Sequence, residues 1–480
     1  MSRLRSSLNR RAVAVLSVLL LGAAWLAYAA TSPTSSTTPT SGTATRTEFG
    51  TVQQQEEVRT DREVSTLPLQ SACSVVPDKE LFITNVSVVD DCWRTTWFNK
   101  CPTPTVFPAT RGAWTMGGLL PGIFGTNNAA TLSARTLQWL NEWDTLQTIN
   151  GDNVPARTFI NDLIIDPWLA ASGGLQLDMK KAPFRLLAIV ARLDLRQNSG
   201  YSGGNSAGEG RFVFNVLDEF GNTTEFLVIL EYGLDAADCA TVLQWANAWH
   251  ALGGFPFGAG YNAELQEVTD AFTAIGASPG KPNGSAINQV RSNEIELVQF
   301  LLPWELREFR LNGMSLASPS PLEQVTVAQT PARSRDQTAQ LADYVNTNAA
   351  SILTNTHLVP LSWLGAPFRG GASPHSLELG WDGPVACTSI LDDEARHVFS
   401  LNTCSGCHGE ETDTTFKHVE PRAPGVASAL STFLTGGAAT DRCGLTHKFG
   451  DIERRRVDLC QLLTKSCTDI SKEKAITFVH

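Results

Sequence analysis

The residues whose types and spacing could do chemistry are Cys404-Ser405-Gly406-Cys407-His408. The first thiol and the second, three positions on, can each add across one of the two vinyl groups of a single porphyrin and become thioethers. The histidine that follows then lies under the metal and can ligate it from one side. Ser405 and Gly406 are small and leave the turn between the thiols open. Two rival uses exist. A zinc ion could take Cys404, Cys407 and His418, with His408 incidental. A redox dithiol would instead need a strand before it in a βαβ setting. The stretch before the motif begins with Asp392, Asp393 and Glu394, which suit the positive end of a helix dipole and not a strand.

The elements that must position this stretch are a helix over 391–402, leading into Cys404, and a Pro-containing loop after Gly409 that carries Pro421 and Pro424. With the motif between them, they resemble the c-type cytochrome family. The resemblance is confined to the C-terminal part. It implies a small, mostly α-helical module with one covalently attached haem c, held by Cys404 and Cys407, with His408 as an axial ligand of the iron. It also implies that a proline carbonyl downstream, best matched by Pro421, accepts the ring N–H of His408 and fixes its tautomer. The chain departs from the family at two points. The aromatic residue expected four positions before the first cysteine is Phe399, which is five before it. The methionine that usually completes the iron is missing, because Met1, Met116, Met179 and Met314 all precede the motif. The candidate distal ligand is therefore His418, in Phe416-Lys-His-Val-Glu-Pro421, ahead of His447 and the terminal His480, with an iron left open or ligated from upstream as the other alternative.

The remaining sequence fixes the setting more than the chemistry. Residues 1–29 read as an export signal: Arg3, Arg5, Arg10 and Arg11 precede an apolar run that ends near Ala27-Tyr28-Ala29. An uncleaved anchor is the alternative, and membrane contact is expected only through that segment. Residues 30–70, rich in Ser, Thr and Pro, read as a disordered linker. Eight of the ten cysteines lie outside the motif, and export makes disulfides among them plausible with the pairing left open. A net charge of −11 excludes nucleic acid as a natural partner. The expected location is periplasmic or cell-surface.

Residues 71–385 read as one large α+β domain, with the haem module at 386–480. Strands are expected at 81–89, 184–195, 211–217, 224–232, 287–295 and 304–311. The strands at 211–217 and 224–232 are expected to form a hairpin through 219–223. Helices are expected at 131–149, 235–252 with Asp235 as cap, 262–275, 334–353, 425–434 and 452–463. The glycine-rich stretch 197–210 reads as a loop. Arg454-Arg455-Arg456 reads as a solvated face, and His397 as facing solvent or a carboxylate on its own helix. No hydrolase, zinc-protease or phosphate-loop signature occurs. The expected function is electron transfer through haem c with a redox partner protein. The alternatives are a haem enzyme with its substrate site in the large domain, and a surface ligand-binding protein with structural haem or zinc.

Overall fold

The segments 184–192 and 223–235 contain the apolar runs 186–191 and 226–230, as strands covered on both faces do, and strands place alternate side chains on opposite faces of a sheet. A computed structural model describes residues 74–97, 101, 111–197, 206–295, 304–313, 319–375 and 380–471. The expected signal, the linker, Cys73 and most of the expected loop at 197–210 lie outside the described residues. The sheet has nine antiparallel strands: β1 Phe82–Ile83, β2 Phe184–Arg192, β3 Ser206–Leu217, β4 Thr223–Asp235, β5 Ile287–Glu294, β6 Trp304–Leu306, β7 Glu308–Leu311, β8 Leu322–Val325 and β9 Ser373–His375. They run in the order β1-β2-β3-β4-β5-β6-β9, while β7 pairs with both β5 and β8. Mixed helix and antiparallel sheet without βαβ units make the chain α+β.

The two faces have different fates. Ile189, Phe212, Phe214, Val228, Leu230, Tyr232 and Val290 face a large core. That core is closed by α1 (Met116–Phe124), α2 (Ala129–Leu140), α3 (Cys239–Ala251) and α4 (Ala259–Thr273). The opposite face carries Leu187, Ala188, Val190, Val213 and Leu227, and these pack against Leu401, Cys407, Val419, Phe433 and Leu434. Core residues from both sides of position 385 thus share one cluster. A register shift between Leu186 and Ala188 puts Leu187 on this second face beside Ala188.

The C-terminal part adds α5 (Ala339–Leu353), α6 (Asp393–Leu401), the single turn α7 (Cys404–Cys407), a hairpin of β10 (Gly437–Thr440) and β11 (Thr446–Phe449), and α8 (Asp451–Thr464). Asp392 caps α6 by accepting from the Ala395 N–H at 3.0 Å. No helix among the described residues is long and apolar enough to cross a membrane.

Several expectations change. The strand at 81–89 shrinks to β1, because the Asn85 side chain accepts from the Ser87 N–H and starts a short helix over Val86–Val89. The helix expected from 131 to 149 ends at Leu140, and 147–149 is a strand paired with 152–154. Asp238, not Asp235, caps α3, with its carboxylate 2.8 Å from the Thr241 N–H. The expected loop gives way to β3 at Ser206, where Gly208 takes a φ of +110° with no room for a side chain against the Arg192 carbonyl. In place of a helix over 425–434 there is one helical turn at Thr432–Thr435, preceded by a bridge between Val419 and Leu430.

Three disulfides join Cys92 to Cys101, Cys239 to Cys467, and Cys387 to Cys443, and Cys460 is also bonded. The pair 239–467 spans 228 residues and pins the C-terminal tail to α3. Non-reducing peptide mapping is expected to recover these three linked pairs. A Cys239 peptide joined to any other partner refutes that pairing.

Candidate functional site

Helix α6 and the turn α7 set the motif. Thr403 caps α7, its Oγ1 accepting from the Gly406 N–H at 3.0 Å, and Trp381 Nε1 donates to the same oxygen at 2.7 Å. The Cys404 N–H donates to Thr330 Oγ1 at 3.1 Å. Gly406 has no alternative, because a Cβ there would sit 2.0 Å from the Ser400 carbonyl oxygen. Cys404 and Cys407 are buried and are the free cysteines among the described residues. Cys404 packs with Trp304, Leu306, Val327 and Phe416, whereas Cys407 packs with Leu401, Val419 and the second face of the sheet. Burial pushes the Cys404 thiol up to about 11, so it stays protonated at neutral pH.

His408 ends the turn. Its Nδ1 lies 2.7 Å from the Phe416 carbonyl oxygen, and its ring stacks on Trp304 at 5.2 Å. With Nδ1–H donated to that carbonyl, Nε2 is the lone-pair nitrogen. Burial depresses His408 to about 4, so the imidazole is neutral at pH 7 and competent as a ligand. The carbonyl that fixes the tautomer belongs to Phe416 and not to Pro421. The backbone turns back sooner than expected, because Phe416 takes a left-handed conformation with φ of 61°.

The motif faces a cleft of about 740 Å³ of space free of protein atoms, part of it open to solvent. One wall carries Cys404, His408, His418, Val419, Phe433 and Leu434; the other is the second face of the sheet. The strand register lays Val190, Arg211, Glu231 and Gln289 in one row, and Ala188, Val213, Ile229 and Arg291 in the next. The cleft is therefore amphipathic, with Phe82, Val190, Val213, Leu227 and Ile229 as apolar lining, and Arg192, Arg211, Arg291, Arg455 and Glu231 as charged lining.

The charges are paired behind the surface. Arg192 Nε donates to Asp194 at 2.9 Å, and Arg454 Nη2 to the same carboxylate at 2.7 Å. Burial opposes ionisation of Asp194, but Arg192 and Arg454 outweigh it and hold the carboxyl well below its usual range. Arg211 Nη2 lies 2.7 Å from Glu209, and Arg291 Nη2 lies 3.0 Å from Glu308. Two arginines keep donors in reserve: Arg192 Nη1, and Nε and Nη1 of Arg455, are buried with no hydrogen-bond acceptor. Burial, followed by the neighbouring Arg192, lowers Arg455 to about 9. Buried guanidinium donors without acceptors are costly, so this end of the cleft is suited to carboxylates brought by a ligand.

His418 is near the motif as expected, but beside His408 and not across the cleft from it. The two rings are 4.4 Å apart centroid to centroid, which is direct contact. Its Nδ1 lies 2.8 Å from Ser431 Oγ and its Nε2 3.3 Å from Cys407 Sγ. Burial, then the neighbouring His408, pushes its pKa well down. His447 is outside the cleft lining, 3.0 Å from Asp441 and stacked on His397 at 3.5 Å. His480 lies outside the described residues. His397 is buried, with Nδ1 2.6 Å from Glu411, a carboxylate on another element. Cys404, Cys407 and His418 do not draw together as the ligand atoms of His397, Asp441 and His447 do, all within 4.8 Å of one another.

Arg211 and Arg291 of the lining were missed by motif reasoning, whereas Arg192 was read as a charged segment end and the run 454–456 as a solvated face with one arginine as a possible propionate partner. Arg455 looks like part of a solvated run, yet it is buried, while Arg454 and Arg456 keep partial contact with solvent and pair with Asp194 and Glu453. Arg192, Arg211 and Arg291 did leave a signal: charges at alternate positions inside otherwise apolar strands. No protein-family model, curated protein or solved structure matches the chain.

Proposed function

We propose that the protein is an exported redox protein that carries one haem c in this cleft and passes electrons through it. The observation that carries the reading is the fate of the cysteines. In a chain built with disulfides, neither cysteine of the Cys-x-x-Cys-His turn is in one, and Cys404 borders the cleft together with the neutral imidazole of His408. The cleft also fits the group's two ends. Val190, Val213, Leu227, Ile229 and Phe433 match a macrocycle's apolar rim, and the unmet donors of Arg192 and Arg455 match its two propionates.

When bound, the iron supplies a one-electron couple. The chain's own residues do the rest. Cys404 and Cys407 anchor the group from one wall. His408 offers Nε2 while the Phe416 carbonyl holds its other proton in place. Trp304 keeps the imidazole from swinging by stacking on it. The sheet excludes water from the opposite face, and its arginines stabilise carboxylates in a low-dielectric setting. One observation favours the haem-enzyme reading as the second choice: the sheet wall presents Arg192, Arg211, Arg291, Glu231 and Asn293 to the cleft that His408 borders.

Expression in a host equipped for haem c maturation tests the main reading. The expected result is a red protein whose haem survives denaturing electrophoresis and whose spectrum shifts reversibly on reduction. A colourless product from a host that matures a control cytochrome refutes it, and zinc found in its place supports the metal-binding alternative.

A further inference from the structure

We propose that His397, Asp441 and His447 bind one divalent metal ion of the zinc type, at a site separate from the Cys-x-x-Cys-His turn and independent of the haem reading. The three side chains are buried, and one ligand atom from each lies within 4.8 Å of the others. Two ligands that each sit ~2.0–2.2 Å from one zinc ion are themselves about 3–4 Å apart, so closing on an ion needs only small side-chain shifts. The donors come from two elements. His397 is on α6, while Asp441 follows β10 in the hairpin turn and His447 is on β11. An ion held by all three ties the helix that leads into the motif to the hairpin beside it.

The surroundings orient these donors as a metal site requires. His397 donates its Nδ1–H to Glu411 Oε1 at 2.6 Å, which leaves Nε2 with the lone pair. The rings of His397 and His447 lie parallel, with an interplanar angle of 6° and centroids 3.5 Å apart. Asp441 Oδ1 accepts the N–H groups of Cys443 and Leu445, both at 2.9 Å, in a turn anchored by the Cys387–Cys443 disulfide. Its Oδ2 faces His447 Nε2 at 3.0 Å, and the ion takes the place of the hydrogen between them. Charge points the same way. Arg396 pairs with both Glu411 and Asp441, so these three groups together carry one negative charge more than positive. An uncompensated buried charge is costly, and a cation relieves it. Two imidazoles and a carboxylate are a donor set that suits zinc. The other close group, Asp382 with Cys387 and Cys443, has both sulfurs in a disulfide and offers no thiolate.

The test loads the full-length Cys404→Ala/Cys407→Ala protein with zinc, so that the thiols of the turn cannot compete for the ion. After desalting, zinc is counted by elemental analysis and its neighbours are read by X-ray absorption. The expected result is one zinc per chain in a shell of nitrogen and oxygen without sulfur, and an unfolding temperature that rises with free zinc. His397→Gln and His447→Gln, each placed in the same background, are expected to lose the ion. A parent protein that retains no zinc, a shell that contains sulfur, or full retention in either histidine variant overturns the proposal. If one variant does not fold, the other variant and the shell of the parent still decide. Wild-type protein without covalent haem refutes the haem reading and leaves this site untouched, so the two failures are separable.

Discussion

On the proposed haem reading, the double variant Cys404→Ala/Cys407→Ala is expected to fold and to carry no covalent haem. Each thiol adds across a vinyl double bond, the S–H hydrogen moving to the other vinyl carbon, so no oxidant is consumed and no other nucleophile can substitute. Neither cysteine takes part in a disulfide, so the cross-links at 92–101, 239–467 and 387–443 are untouched. Cysteine to alanine removes one buried sulfur from each of two apolar clusters, a loss of about 1 kcal/mol per site. Each single variant keeps one thioether, and its reduced band moves to longer wavelength because one vinyl group stays conjugated. The measurement is a haem stain after denaturing electrophoresis together with the reduced spectrum. A double variant that still stains sinks the assignment of these thiols.

Arg396→Met is expected to destabilise the protein by about 3–5 kcal/mol, because it strands two buried carboxylates. Arg396 is fully buried on α6, directly before the motif. Its Nη2 lies 2.7 Å from Glu411 and 2.5 Å from Asp441, and its Nη1 lies 3.2 Å from the other Glu411 oxygen. Burial alone would push Glu411 up, but Arg396 and then His397 hold it at about 2. The sign of the pH dependence follows. In the wild type this depressed carboxyl stabilises the fold above its unfolded value near 4.5, and the contribution is lost as pH falls through 2. Without Arg396 the carboxyl rises, so the variant gains on the wild type as the solution is acidified from about pH 5. Urea unfolding of both proteins at pH 7 and pH 4 checks this. Arg456→Met, which breaks a partly exposed pair with Glu453, is the comparison and costs at most about 1 kcal/mol. Equal losses in the two variants, or a gap independent of pH, contradict the role given to Arg396.

The sequence by itself determined the local geometry of five residues. Cys404, Cys407 and His408 are adjacent along the chain, so their relative geometry follows from one helical turn, and local rules suffice. The same holds for β2, the β3–β4 hairpin, α6 and α8, each of which carries its own periodicity and caps. Where a local competitor intervened, boundaries moved: Asn85 cut a strand short and Asp238 displaced Asp235 as a cap.

The tertiary structure alone decided what the motif faces. Val190, Arg211, Glu231 and Gln289 stand in one row because four strands far apart in sequence pair in one register. A slip of one residue would turn all of them to the other face. Arg455 was illegible for the same reason. An arginine run on a helix is ordinarily solvated, and only the docking of α8 against Phe82 and Asp194 buries part of it. The position of His418 was equally hidden, because ten residues of loop can return to either side of His408. The structure places its ring 4.4 Å from that of His408 and its Nδ1 against Ser431. Covalent neighbours fix chemistry at short range. Pairing register and burial, which depend on the whole chain, fix the cavity that chemistry opens into.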